Sequence, residues 1–296
     1  MRKLGKRTGS PRHLAAILIT GILCICGLAF TSAPVPIEVT AAPNFIQPGE
    51  PPAPEITLQD TDSSLLAREK RVAYGDNFLE SLYERPFSSI EMAYYPDVDI
   101  QTATVSADDH FFYFTITLKS VDPSVKKLTG SYGIEIDRGL KGRGDLLVWG
   151  RGMGADWSTD TVAVYADPDK DVGGLNPLIA NEWHIGDGYE TKVAYQGDMA
   201  AYARLAPGDP QVVQFAVNRA LLDGAEKFLW GAWADRGWQN PGRFEYNDFI
   251  GPGAAGSPIK YTNYYPVKDL YGLDNTCRRA YGFAPDYMIR GMCISR

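Results

Sequence analysis

His110-Phe-Phe-Tyr-Phe-Thr-Ile-Thr-Leu-Lys119 is the stretch that decides the fold class. It is aromatic and β-branched, with neither Gly nor Pro, and from Tyr113 it alternates polar and apolar residues as a half-buried strand does. Similar short runs recur at 100–105, 132–137, 146–150, 161–166, 190–195, 212–217 and 228–235. Turn clusters separate them, among them Asp122-Pro123, Asp167-Pro168-Asp169, Gly173-Gly174 and Pro207-Gly208-Asp209. Many short strands with turn signals and no regular intervening helices predict an all-β protein, an antiparallel β-sandwich of jelly-roll or immunoglobulin-like type. One or two short helices are expected, one of them over 218–224 with Asn218 as its N-cap.

The sequence upstream has a different character. Residues 1–13 carry Arg2, Lys3, Lys6, Arg7 and Arg12 and no acid, and an apolar run follows over 14–30. A basic segment before an apolar one is the pattern of a secretory signal. The run is also at the short edge of what can span a membrane, so residues 1–32 read either as a cleaved signal peptide or as an uncleaved N-terminal anchor. Cys24 follows Gly21-Ile22-Leu23, without the small neighbour that a lipidated cysteine needs. Residues 33–57 hold seven prolines, at 34, 36, 43, 48, 51, 52 and 54, and read as an extended linker. A charged lead-in occupies 58–82 and the sandwich domain 83–296. The expected location is outside the cell or on the outer face of the membrane, with membrane contact only through the N-terminal segment.

Charge and cysteine content agree with export. The chain of 296 residues carries a net charge of −7, and losing the five basic residues of the first segment would take this to −12. An acidic body disfavours nucleic acid, which requires a basic footprint. Beyond the apolar run only Cys277 and Cys293 remain. Two cysteines in an oxidising compartment are expected to pair, closing the C-terminal tail.

Three acidic clusters carry chemistry. Asp167, Asp169 and Asp171 alternate before Gly173-Gly174, and carboxylates on a sharply turning backbone are what calcium takes. The alternative is a solvated turn. Glu135 and Asp137 share one strand face, and paired carboxylates are the requirement for glycoside hydrolysis. Their strand resembles the Glu-x-Asp-x-x-Glu strand of family 16 glycosidases, but Leu140 stands where the last Glu would fall. Gly186-Asp-Gly-Tyr-Glu190 reads as a tight turn. No GxSxG, HExxH or histidine pair is present, so hydrolytic triads and histidine zinc sites have no basis.

Tryptophans concentrate in the later half, most densely in Phe228-Leu-Trp-Gly-Ala-Trp-Ala-Asp235. Period two places Trp230 and Trp233 on opposite faces, so one should be buried and the other turned outward. Trp230, Trp233 and Trp238 are therefore the candidate sugar platform.

The chain resembles a group of secreted or surface-anchored bacterial β-sandwich proteins. The likeness rests on Tyr132-Gly-Ile-Glu-Ile-Asp137, Asp167-Pro-Asp-Lys-Asp-Val-Gly-Gly174, the Phe228–Asp235 run and Asp274-Asn-Thr-Cys-Arg278. It brings no activity with it. More loosely, the aromatic strands and acidic turns are similar to family 9 carbohydrate-binding modules, which implies calcium and a sugar held between aromatics. The expectation is a non-catalytic, exported β-sandwich that binds an extracellular glycan or cell-envelope component. The alternatives are a polysaccharide-acting glycoside hydrolase with Glu135 and Asp137, and a purely structural envelope protein.

Overall fold

The structure is a computed structural model and describes residues 45–69, 75–89, 91–142, 144–168, 188–196, 199–236, 250–256, 267–289 and 291–294. The described chain forms an antiparallel β-sandwich. Its first sheet has the order β1 (Ile56–Gln59), β3 (Ile100–Ala107), β4 (Phe111–Leu118), β10 (Asp209–Asn218), β9 (Ala201–Ala206). The second runs β2 (Glu84–Arg85), β12 (Leu273–Asn275), β11 (Phe228–Asp235), β5 (Ser131–Asp137), β6 (Leu146–Arg151), β7 (Val162–Ala166), β8 (Thr191–Lys192). A final strand, β13 (Arg279–Tyr281), pairs with the same edge of β11 as β12 does. Two short helices, α1 (Ser64–Glu69) and α2 (Pro252–Ala255), lie outside the sheets. Among the described residues no helix is long and apolar enough to cross a membrane.

Alternation builds the core. Phe112, Phe114, Ile116, Val213, Phe215 and Val217 of the first sheet meet Tyr132, Ile134, Ile136, Val148, Phe228 and Trp230 of the second, all fully or almost fully buried. Packed rings fix the distance between the sheets: Phe112 meets Phe228 edge to face at 5.0 Å, and Phe114 meets Trp230 at 5.5 Å.

Strand β4 is more buried than its pattern predicts. Phe111 and Tyr113 face away from the core yet are covered, in a second cluster with Tyr202 and Ala216. The cover comes from residues 45–50, within the stretch read as linker. Phe45 and Ile46 pack against this cluster, the Gly49 carbonyl accepts from the Trp157 indole at 3.0 Å, and Glu50 pairs with Arg204 at 2.6 Å. The chain then enters the first sheet as edge strand β1, in register with β3 from Ile56 opposite Val105 to Gln59 opposite Thr102.

The predicted cap is present. The Asn218 side chain accepts from Ala220 N at 2.9 Å and starts a 3-10 helix over Arg219–Leu222. The expected bridge is present too, joining Cys277 to Cys293.

Candidate functional site

Among the described residues, strands β5 to β8 leave part of the second sheet's outer face uncovered. There Ser131, Trp149, Arg151, Asp160, Thr161, Val162, Ala163 and Lys192 line a groove of 330 Å³. The register explains the grouping. Ser131 lies opposite Arg151, Trp149 opposite Ala163, and Lys192 opposite Tyr165, so one parity of four strands points outward together. The Trp149 ring forms the floor because Gly133 beneath it has no side chain; a Cβ there would sit 2.4 Å from the ring. Arg151, Asp160 and Lys192 are exposed at the rim.

The same face continues under cover toward β11 and β12, where Glu135 is held. Arg278 Nη2 donates to both carboxylate oxygens, at 3.1 and 3.0 Å, and the Trp233 indole donates to Oε2 at 3.1 Å. Glu135 and Arg278 are both 2% exposed. Both oxygens of Glu135 are thereby engaged within the protein, and the carboxylate is out of contact with solvent. Asp137, two residues on, is buried and closes its own loop by accepting from Gly142 N at 2.6 Å, while Asp145 accepts from Gly139 N at 2.8 Å. These two hydrogen bonds hold the loop between β5 and β6, while the other Asp137 oxygen, Oδ1, is buried without a hydrogen-bond partner.

Burial, assisted by the charges of Asp145 and Glu135, pushes the Asp137 carboxyl up from 3.8 to about 7. A carboxyl whose folded pKa is raised costs nothing below its unfolded pKa, where both states are protonated. The cost of ionising it in the fold grows as pH rises from about 4 to 7. Asp137→Asn should remove that slope. The difference in urea midpoint between variant and wild type is expected to move in the variant's favour from pH 4.5 to pH 8. A difference independent of pH would sink this account.

Of the expected aromatic platform, Trp230 and Trp233 are both buried, at 1% exposure. Opposite faces do hold them, as alternation predicts. However, the outer face at Trp233 is itself covered by Tyr83, whose ring lies 5.9 Å away, and by Leu270 and Leu273. Neither ring is available to a sugar, and the neighbouring Trp149, which lines the groove, is itself 7% exposed. Trp238 lies outside the described residues, as do Asp169 and Asp171. Asp167 is described: it is buried after β7, its backbone N donating to Asp145 O at 3.2 Å.

A further group of acids gives no local signal in sequence. At one long edge of the sandwich, β1 and β3 approach β2 and β12. Asp60, Glu84 and Asp274 converge there, with one carboxylate oxygen of each within 4.8 Å of the others. Asp274 pairs with Glu84 across the two strands, and both turn inward by alternation. Asp274 Oδ2 accepts from Ile100 N at 2.7 Å and so ties the two sheets together. Glu84 Oε2 accepts from Ser63 Oγ at 3.2 Å. Asp99 stands beside them, with its oxygens occupied by Ser63 N, the Tyr94 hydroxyl and Gln101 Nε2. Lys119 at the rim ion-pairs with Asp62.

Two buried oxygens of this group, Asp60 Oδ2 and Asp274 Oδ1, have no hydrogen-bond partner. Burial drives the carboxyls of Asp60, Glu84 and Asp274 upward; the charges of Asp274 and Asp60 add to the shift of Glu84, those of Asp60 and Asp99 to that of Asp274, and that of Asp99 to that of Asp60. At 4.8 Å and an effective dielectric of about 20, each ionised pair repels by about 3.5 kcal/mol.

No family model matches this chain, and neither the curated proteins nor the solved structures provide a match. The functional reading therefore rests on the residues and their arrangement.

Proposed function

We propose that this protein is an exported, non-catalytic β-sandwich that binds a polar extracellular ligand, with carbohydrate as the favoured class, in the groove on the outer face of β5 to β8. The observation that carries this reading is the groove itself, where exposed Arg151, Asp160 and Lys192 surround the small accessible part of the Trp149 indole. A concave site with an apolar floor and a few placed donors and acceptors is the usual composition of a site for a small polar ligand. Engagement of Glu135 by Arg278 favours binding over hydrolysis. The basic-apolar N-terminus supports export, as does the disulfide.

The test is a glycan array probed with the full-length protein, with polysaccharide hydrolysis assayed in parallel. Binding without turnover is expected. Arg151→Ala and Lys192→Ala, both at exposed positions, should each weaken binding about tenfold, the value of roughly one charge-assisted hydrogen bond, and leave the melting temperature unchanged. Absence of glycan binding, or binding indifferent to both changes, would overturn the groove assignment. Turnover would favour the hydrolase.

A further inference from the structure

We propose that Asp60, Glu84 and Asp274 form a calcium site that joins the two sheets at the edge of the sandwich. This goes beyond the ligand-binding reading and does not depend on it.

Three observations converge. The first is spacing. Oxygens bound to one calcium at 2.3–2.6 Å lie at most about 5 Å apart, and one oxygen from each of these residues falls within 4.8 Å of the other two. The second is unmet bonding. Asp274 is 0% exposed, and its Oδ1 accepts no hydrogen bond, although its other oxygen is held by Ile100 N. Asp60 Oδ2 is in the same condition. A buried acceptor with no donor is uncommon enough in folded proteins to require an explanation, and a cation between the carboxylates satisfies both oxygens together. The third is connectivity. Asp60 directly follows β1, Glu84 lies in β2 and Asp274 in β12, so the set is assembled only in the folded chain.

The donor chemistry selects the metal. All the ligands are oxygens, with no histidine or thiol, which suits a hard cation and not zinc or copper. Three carboxylates, each mono- or bidentate, supply up to six of the six to eight oxygens that calcium takes. Magnesium keeps several of its waters and suits a wetter site. The rival explanation is protonation. Asp60 and Glu84 bring carboxylate oxygens within 4.8 Å of each other, and a proton held on one of them would relieve the repulsion when no metal is bound. The two explanations differ in what calcium does.

The experiment uses the full-length protein stripped with chelator. Isothermal titration with calcium should show saturable binding with Kd of about 1 mM or tighter, the range of extracellular calcium modules or better. Because the ion binds only the folded state, 5 mM calcium should raise the melting temperature by about 2–9 °C. Magnesium at the same concentration should give a clearly smaller shift. Asp274→Asn and Glu84→Gln should each abolish the calcium shift, and in chelator each should melt at or above the wild type, because each removes a repelling charge. Asp169→Asn, in the loop where sequence spacing alone places calcium, should leave the shift intact. Should either cluster variant fail to fold, the wild-type titration and the Asp169→Asn control still decide. No binding and no shift at 5 mM calcium would overturn the proposal in favour of shared protons. A shift that survives both cluster variants, or is lost in Asp169→Asn, would overturn the location. An equal shift with magnesium would overturn the choice of metal.

Discussion

Arg278→Ala is expected to destabilise the fold by about 3–5 kcal/mol, the range for removing one partner of a buried ion pair. Its guanidinium meets both Glu135 oxygens. Without it the carboxylate remains on a face walled by Leu147, Trp149, Trp233 and Tyr83, with the Trp233 indole as its named remaining donor. The pair itself need not be strongly stabilising, since desolvating two charges offsets much of their attraction. The double variant Arg278→Met with Glu135→Leu should therefore recover most of the loss. Urea unfolding with an unchanged slope is the measurement. A loss below about 1 kcal/mol in the single variant, the size of an exposed pair, would show that the pair is exposed to water in solution.

Loss of the Cys277–Cys293 bridge is expected to cost about 3 kcal/mol, because the chain-entropy model gives that value for a loop of about 15 residues, close to the separation of 16 here. The bridge closes the end of the chain over the edge of the second sheet. Arg278 N donates to Gly291 O at 2.8 Å, and Cys293 N to Arg278 O at 2.9 Å, so the tail also supports the backbone of the arginine that holds Glu135. Reductant should lower the melting temperature of the wild type and leave a Cys277→Ser, Cys293→Ser variant unaffected. If reductant shifts both proteins equally, the effect is not that of the bridge.

Strand content was legible wherever a run supplied its own alternation. The 228–235 run became β11, the 132–137 run lies in β5, and the Asn218 cap is where a side-chain acceptor before a short helix predicts it. Strand β1 was hidden because 56–59 follows seven prolines and straddles the boundary at 57/58 between the stretch read as linker and the charged lead-in. Strands β12 and β13 have three residues each, too few for a period to register. The tryptophan reading used the right parity, but alternation reports which face a side chain occupies and not whether that face is covered. Trp233 is buried by Tyr83, Leu270 and Leu273, all distant in sequence from it. The carboxylate group at the sandwich edge was illegible for a related reason. Asp60, Glu84 and Asp274 come from three separate strands or strand ends, and no spacing between such positions marks them as neighbours.

The docking of residues 45–50 also sets an orientation. Phe45 and Ile46 lie on the outer side of the first sheet, whereas the groove opens on the outer side of the second. Residue 45, where the described chain begins, therefore lies on the broad side of the sandwich opposite the groove. The two broad sides of the sandwich are thus unequal: one carries its own N-terminal strap over Phe111 and Tyr113, the other carries the groove.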